Sequence, residues 1–314
     1  MLNIPPLDRN RARQLHRVIS AQEAHLYAGL PAGQIQPLLN GFSRRYHADI
    51  ACGWLSVKCM FNGRARYEIE GQRQLVVDHD HYLILNEGQP YRVTIDGAAL
   101  TESFCVFLPA RLAADALRTL TTPAERLLDE LPDDGGLPIH FFERTHAHDW
   151  IISPLIGAMR AAYQRGEATP GWLEEQLAEL MGRMLAVHRG ALAEAERLPA
   201  ARQATRDELY RRLHIARDYM HAHLEQPLTL EETAAVAALS PYHFLRSFRA
   251  LFGETPHQYL TRLRIGRAKQ LLRRDETPVT SICHEVGFSS LGSFSSLFKR
   301  RVGVSPNAYR AGLR

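Results

Sequence analysis

The spacing of hydrophobic and polar positions changes its period along this chain. Between Arg44 and Leu108, short apolar runs rich in β-branched and aromatic residues alternate with turn signals. The pattern predicts strands at Trp54–Phe61, Arg66–Glu70, Gln74–Asp78, His81–Leu85, Tyr91–Ile95 and Ser103–Leu108. Turns are expected at Asn62-Gly63, Glu70-Gly71, Glu87-Gly88 and Asp96-Gly97, several of which place glycine where a tight hairpin needs positive φ. Short strands at this spacing predict a small sandwich or barrel. A short helix is expected over Arg11–Ala24, another from Pro109 to about Thr119, and a loop around Leu131–Leu137.

Helical spacing follows. His148–Gln164 and Gly171–Arg189 carry apolar stripes (Ile151, Ile152, Leu155, Ile156, Met159; then Leu173, Leu177, Leu180, Met181, Met184, Leu185) that bury either in the core or against a second subunit. Ala191–Arg206, charged, Ala-rich and holding Pro199, reads as a linker. Thr205 with Glu208 forms a capping box that predicts a helix start. The expected divisions are 1–195, a linker at 196–204, and 205–314.

Within the last segment the sequence repeats itself. Phe244-x3-Phe248-x4-Gly253-x2-Pro256-x2-Tyr259 returns as Phe294-x3-Phe298-x4-Gly303-x2-Pro306-x2-Tyr309, an offset of 50, which becomes 49 upstream of the turn. Two copies fit a duplicated motif better than a solenoid, which needs three repeats or more. Each copy reads as helix, tight turn, helix. In the first, Thr229 and Glu232 form a capping box for a helix over Leu230–Ala238, whose alanines allow a close crossing. Ser240 supplies the next N-cap, Pro241 sits at N1, and Gly253 ends the helix. Phe244, Phe248, Leu251 and Phe252 form its buried stripe, leaving His243, Arg246, Ser247 and Arg249 on the opposite face as donors for base edges and phosphates. The second copy buries Phe294, Leu297 and Phe298 and presents Ser293, Ser296, Lys299 and Arg300. Arg246 is matched there by Ser296, so the first helix is expected to discriminate sequence more and the second to rely on phosphates and shape.

Between the copies, Thr255-Pro256 opens a helix to about Arg273, roughly 27 Å long at about 1.5 Å per residue. That holds two recognition helices near the ~34 Å of one DNA turn. Arg262, Arg264, Arg267, Lys269, Arg273 and Arg274 on this connector are candidates for phosphate contact or for a solvated face.

Charge sharpens this division. The 314 residues have a formal net charge of +4. From Arg206 onward 17 Lys and Arg stand against 10 Asp and Glu, a net of +7, and the preceding residues carry −3. A basic C-terminal third points to a polyanion. A chain this long is expected to form two domains. Its longest apolar runs fall far short of a membrane span. The start lacks a signal-peptide pattern, and the four cysteines lack CxxC spacing, so a cytoplasmic location is expected.

Leu239-Ser240-Pro241-Tyr242-His243-Phe244, Phe252-Gly253-Glu254-Thr255-Pro256, Val286-Gly287-Phe288, Phe298-Lys299-Arg300 and Gly303-Val304-Ser305-Pro306 resemble the DNA-binding domain of the AraC/XylS family of transcription regulators. The resemblance covers residues 205 to 314; at Cys283 the family more often has alanine. It implies a sequence-specific regulator, an activator, that binds double-stranded promoter DNA and works with RNA polymerase. It further implies an N-terminal cupin-like barrel that senses a small-molecule effector or forms a homodimer. The expected fold class is α+β, with that barrel and its helices followed by an all-α domain of two helix-turn-helix units.

No feature identifies an effector. His79-Asp80-His81 has the start of a cupin metal motif, but Glu87 lies too far on, the motif falls at a turn, and Tyr91 stands where a later histidine belongs. His140, His146 and His148 read as loop histidines, and Cys52 and Cys59 as buried strand residues. No catalytic residue, metal or cofactor is expected. The alternatives are a cupin-type metal-dependent enzyme fused to a DNA-binding module, and a structural DNA binder whose barrel only dimerises.

Overall fold

A computed structural model describes residues 37–69, 73–109, 112, 140–198, 202–274 and 277–312. The helices expected at Arg11–Ala24 and after Pro109, the loop at Leu131–Leu137 and the turn at Glu70-Gly71 lie outside the described residues. The chain divides into two compact units, Met1–Ala193 and Glu194–Arg314.

Among the described residues the first unit has a seven-stranded antiparallel sheet: β1 (Leu38–Ile50), β2 (Ser56–Phe61), β3 (Ala65–Ile69), β4 (Arg73–Val77), β5 (His81–Leu85), β6 (Tyr91–Phe107) and β7 (Thr145–Ala147). The order is β4-β3-β6-β2-β5-β7, with β1 also on β6, and the sheet curls until β4 approaches β5, a nearly closed barrel. One long strand replaces the two expected at Tyr91–Ile95 and Ser103–Leu108. It pairs with β3 through Tyr91–Thr94 and with β2 through Glu102–Phe107. Asp96-Gly97 is not a hairpin turn. The β1 pairing shifts there, from Arg45 opposite Asp96 to Ser43 opposite Thr101, so Gly97 opens an irregular stretch, residues 97–100, within the strand. At Asn62-Gly63 the positive φ falls on Asn62 (61°), and Gly63 is crowded by the Thr101 side chain. Gly88 has the expected positive φ, 75°. Strands β1 and β7 were not among those expected, and β2, β4 and β5 are largely continuous buried runs rather than alternating ones.

Two helices cover one face of the sheet, α1 (Ser153–Arg165) and α2 (Pro170–Glu196). Both apolar stripes bury in one core with Val57, Cys59, Tyr82, Ile84, Phe104 and Val106, which decides for core packing over a subunit interface. Glu102, nearly buried on β6, takes a two-point ion pair from Arg160 of α1 at 2.6 and 2.5 Å. The expected start at His148 is corrected to Ser153, because Asp149 Oδ1 accepts from the amides of Ile151, Ile152 and Ser153 and organises a turn first. Gly166, at φ 73°, ends α1 in a left-handed cap. The other sheet face encloses a second core of Met60, Tyr67, Leu75, Leu83, Leu85 and Val93 inside the barrel.

The second unit is helical: α3 (Gln203–Ala222), α4 (Leu230–Val236), α5 (Pro241–Phe252), α6 (Pro256–Arg274), α7 (Val279–Glu285), α8 (Leu291–Val302) and α9 (Pro306–Ala311). Of the expected linker, residues 191–196 and 203–206 are helical, and 197, 198 and 202 are turn or bend. The capping box expected at Thr205 is absent: α3 begins two residues earlier, and Glu208 binds Arg211 and Arg212 at 2.9 and 2.6 Å.

Candidate nucleic-acid interface

Each helix-turn-helix is built by local capping. Glu232 N donates to Thr229 Oγ1 at 3.1 Å and Thr229 N to Glu232 Oε2 at 2.8 Å, the reciprocal box that starts α4. Ala234 and Ala237 are fully buried, which lets α5 cross α4 closely. Ser240 and Ser290 cap α5 and α8, and Gly253 and Gly303 end them at φ 74° and 92°. Thr255 and Gln258 exchange a second reciprocal pair, at 2.9 and 3.3 Å, at the start of α6; Gln258 was not singled out from sequence. The offset between the copies is explained in the turn. Ala238 (φ 51°) and Gly287 (φ 84°) occupy matching positions, and Ser289 is the extra residue before the second cap.

Beneath α5 lie Phe244 and Phe248, with rings 5.3 Å apart, and Tyr259 of α6 stands 5.7 Å from Phe248. Phe294, Phe298 and Tyr309 repeat the arrangement beneath α8 at 5.7 Å for each step. Leu251, Phe252 and Leu297 are half-buried rather than central.

His243, Arg246 and Arg249 stand exposed on the outer face of α5, and Ser293, Ser296, Lys299 and Arg300 on that of α8. Ser247 does not join them. It is fully buried, because it shares the 244-247-248 spacing of the inward stripe, and its Oγ has no hydrogen-bond partner among the described residues. Sequence reading missed Tyr242, 76% exposed and in register with Arg246 and Arg249 at i, i+4 and i+7. An aromatic residue outside the stripe of an amphipathic helix was the signal available.

The connector helix α6 has 19 residues and so spans roughly 28 Å. Its cations divide by partner. Arg264 donates to the carbonyls of Leu224 at 2.7 Å and Gln226 at 2.6 Å, and burial lowers its pKa, so it braces the end of α3. Arg262 pairs with Glu254 at 2.7 Å, and Arg267 lies 3.7 Å from Glu285. Lys269 and Arg273 each lie 5.8 Å from the ring centre of Tyr309. The Arg274 side chain is outside the described residues. An exposed row of guanidinium, imidazole, ammonium and hydroxyl donors on two capped helices suits phosphates and base edges in a major groove.

In the first unit, Asp78 Oδ1 accepts from Asp80 N at 3.0 Å and lies 3.1 Å from His81 Nδ1, so the His79-Asp80-His81 segment is held as the turn between β4 and β5. His146 stacks on Tyr82 at 5.1 Å, and His148 lies 2.8 Å from Ser153 Oγ. Cys59 is buried in the core, where burial pushes its thiol pKa up; Cys52, expected in a strand, is exposed. The barrel interior holds a cavity of about 90 Å³ lined mainly by aromatic and aliphatic side chains.

The second unit thus has the form of a double helix-turn-helix DNA-binding domain. Residues 233–312 match the family described as "Helix-turn-helix domain". The chain is similar to a probable transcriptional regulator, LumQ, of Photobacterium leiognathi, 37% identical over 31% of this chain and 39% of that protein. It is also similar to the MmsAB operon regulatory protein of Pseudomonas aeruginosa, 40% identical over 31% of each. The match therefore spans only about a third of the length of these two relatives. The HTH-type transcriptional activator RhaS of Escherichia coli is 26% identical over 76% of this chain and 84% of its own. The C-terminal region of this chain therefore carries a helix-turn-helix domain similar to that of these transcriptional regulators.

Proposed function

We propose that the chain is a sequence-specific transcription activator whose residues 205–314 grip double-stranded promoter DNA, with α5 and α8 in successive major grooves. The observation that carries this reading is the pair of matched, capped helices with exposed donor faces at the two ends of a 19-residue connector. RNA polymerase is the partner that activation requires. The N-terminal barrel acts as the controlling domain, through a small-molecule effector or through homodimer formation, and its cavity favours the effector. The relatives are regulators, which supports a non-enzymatic role. Among the described residues no helix is long and apolar enough to cross a membrane. The work is placed in the cytoplasm because the promoter is there.

Specificity rests on His243, Arg246 and Arg249 first, then on Ser293, Ser296, Lys299 and Arg300. Binding measured on a panel of single-base variants tests this order. Arg246→Ala is expected to relax discrimination at one base pair by about 1–3 kcal/mol, and Ser296→Ala by less. A larger loss from Ser296→Ala overturns the order.

A further inference from the structure

Alternation along β2 sends Val57 and Cys59 to the helix-covered face and leaves Lys58 and Met60 lining the barrel cavity. Lys58 is consequently only 2% exposed. Its Nζ lies 4.0 Å from the ring centre of Phe107 and 5.5 Å from that of Tyr91. Among the described residues no carboxylate pairs with it and nothing accepts a hydrogen bond from it. It is also the only charged residue among the described residues that line the cavity. An ammonium buried without a counter-charge is costly, and aromatic faces offset only part of that cost. Tyr67 adds a second donor: it is 3% exposed, lines the same cavity, and its hydroxyl has no hydrogen bond among the described residues. Burial keeps that hydroxyl protonated by pushing its pKa up. Cation, donor and apolar wall therefore converge on one space.

We propose that this cavity binds a small organic monocarboxylate, its carboxylate paired with Lys58 and hydrogen-bonded by Tyr67, its apolar body against Trp54, Tyr91, Ile95 and Phe107. The proposal rests on the reading of the barrel as the controlling domain. Size limits the ligand: an apolar cavity of ~150 Å³ takes benzene, so about 90 Å³ selects a short or branched aliphatic body. The single cation selects one carboxylate over two.

Calorimetric titration of the full chain tests this, with isobutyrate and isovalerate set against isobutyramide and isovaleramide, and with succinate and chloride at matched ionic strength. The acids are expected to bind at one site and their amides at least tenfold more weakly. Lys58→Met is expected to lose the distinction between acid and amide and, without ligand, to melt no lower than the wild type. Tyr67→Phe, which keeps the lysine, is expected to weaken the acids severalfold and leave the amides less affected. The proposal is overturned if no acid binds, if amides match acids, if succinate or chloride matches isobutyrate, or if both variants keep the acid preference. Promoter binding measured on the same preparations separates the two levels. Failed ligand binding with intact DNA binding overturns the cavity assignment alone, whereas absent DNA binding overturns the regulator reading.

Discussion

Replacing Ser247 by alanine separates a packing role from a DNA-contact role on the first recognition helix. The side chain is fully buried and its hydroxyl has no partner among the described residues. A buried hydroxyl without a partner costs about 1–3 kcal/mol, and alanine's better helix propensity adds about 0.5 kcal/mol. Against these stands the small void left by one oxygen, roughly 1 kcal/mol if the surroundings do not close over it. The balance is a gain of about 1 kcal/mol, or about 3–6 °C in Tm for a unit the size of Glu194–Arg314. Urea unfolding and calorimetry measure the gain, and fluorescence anisotropy with a bound duplex measures affinity. Ser247→Ala is expected to keep its Kd within about twofold of wild type, whereas Arg246→Ala loses about tenfold or more, the equivalent of 1.4 kcal/mol. If Ser247→Ala loses DNA affinity as Arg246→Ala does, or destabilises the unit, the placement of this side chain on the inner face is wrong.

The two turn residues give an asymmetric pair. Gly287→Ala forces a Cβ to within 2.8 Å of Leu224 O and 2.9 Å of Glu225 O at φ 84°, so thermal unfolding should register a loss of several kcal/mol. Ala238→Gly, at φ 51°, relieves a left-handed Cβ and should be neutral or stabilising by about 1 kcal/mol in the same assay. On α6 and α8 the cations should separate by assay. Lys299→Ala should reduce the salt slope of DNA binding by about 0.9 with little change in Tm, whereas Arg264→Met should lower Tm because two carbonyls lose their donor. In the first unit burial lowers the pKa of His148, with His81 adding to the effect, and that of His188, with Arg144 adding. Because the folded values lie below the unfolded value of about 6.5, the unfolded state binds more protons in between. Stability of the barrel unit should therefore be full above about pH 6.5 and fall as pH drops toward the native values, as read by Tm against pH. A Tm that rises on acidification contradicts this.

The C-terminal unit was legible because its signals are local. Thr229 with Glu232, Ser240 with Pro241, and Gly253 fix helix ends within a few residues, and the repeated Phe-x3-Phe spacing fixes which face is buried. The same rule misplaced Ser247, since a serine carries no hydrophobic mark and its side of the helix follows only from its position between Phe244 and Phe248. The Thr205 box failed for a related reason: the helix had already begun, and Glu208 found two arginines instead. In the barrel, strand existence was legible but continuity was not. Gly97 looks the same in a turn and in an irregular stretch of one long strand, and only the pairing with β1 distinguishes them. Lys58 was invisible for the same non-local reason. An alternating strand predicts that it faces away from Val57 and Cys59, but only the sheet's curl makes that face an interior.

The central claim is that one chain places two helices in successive major grooves. Hydroxyl-radical footprinting of the full chain on a duplex selected from genomic fragments, repeated across a salt series, tests it most directly. The account predicts two protected segments about 10 base pairs apart, weakened together as log Kd rises linearly with log salt, with Arg246→Ala thinning one segment and Lys299→Ala the other. A single protected segment at all concentrations, or binding indifferent to salt, contradicts it.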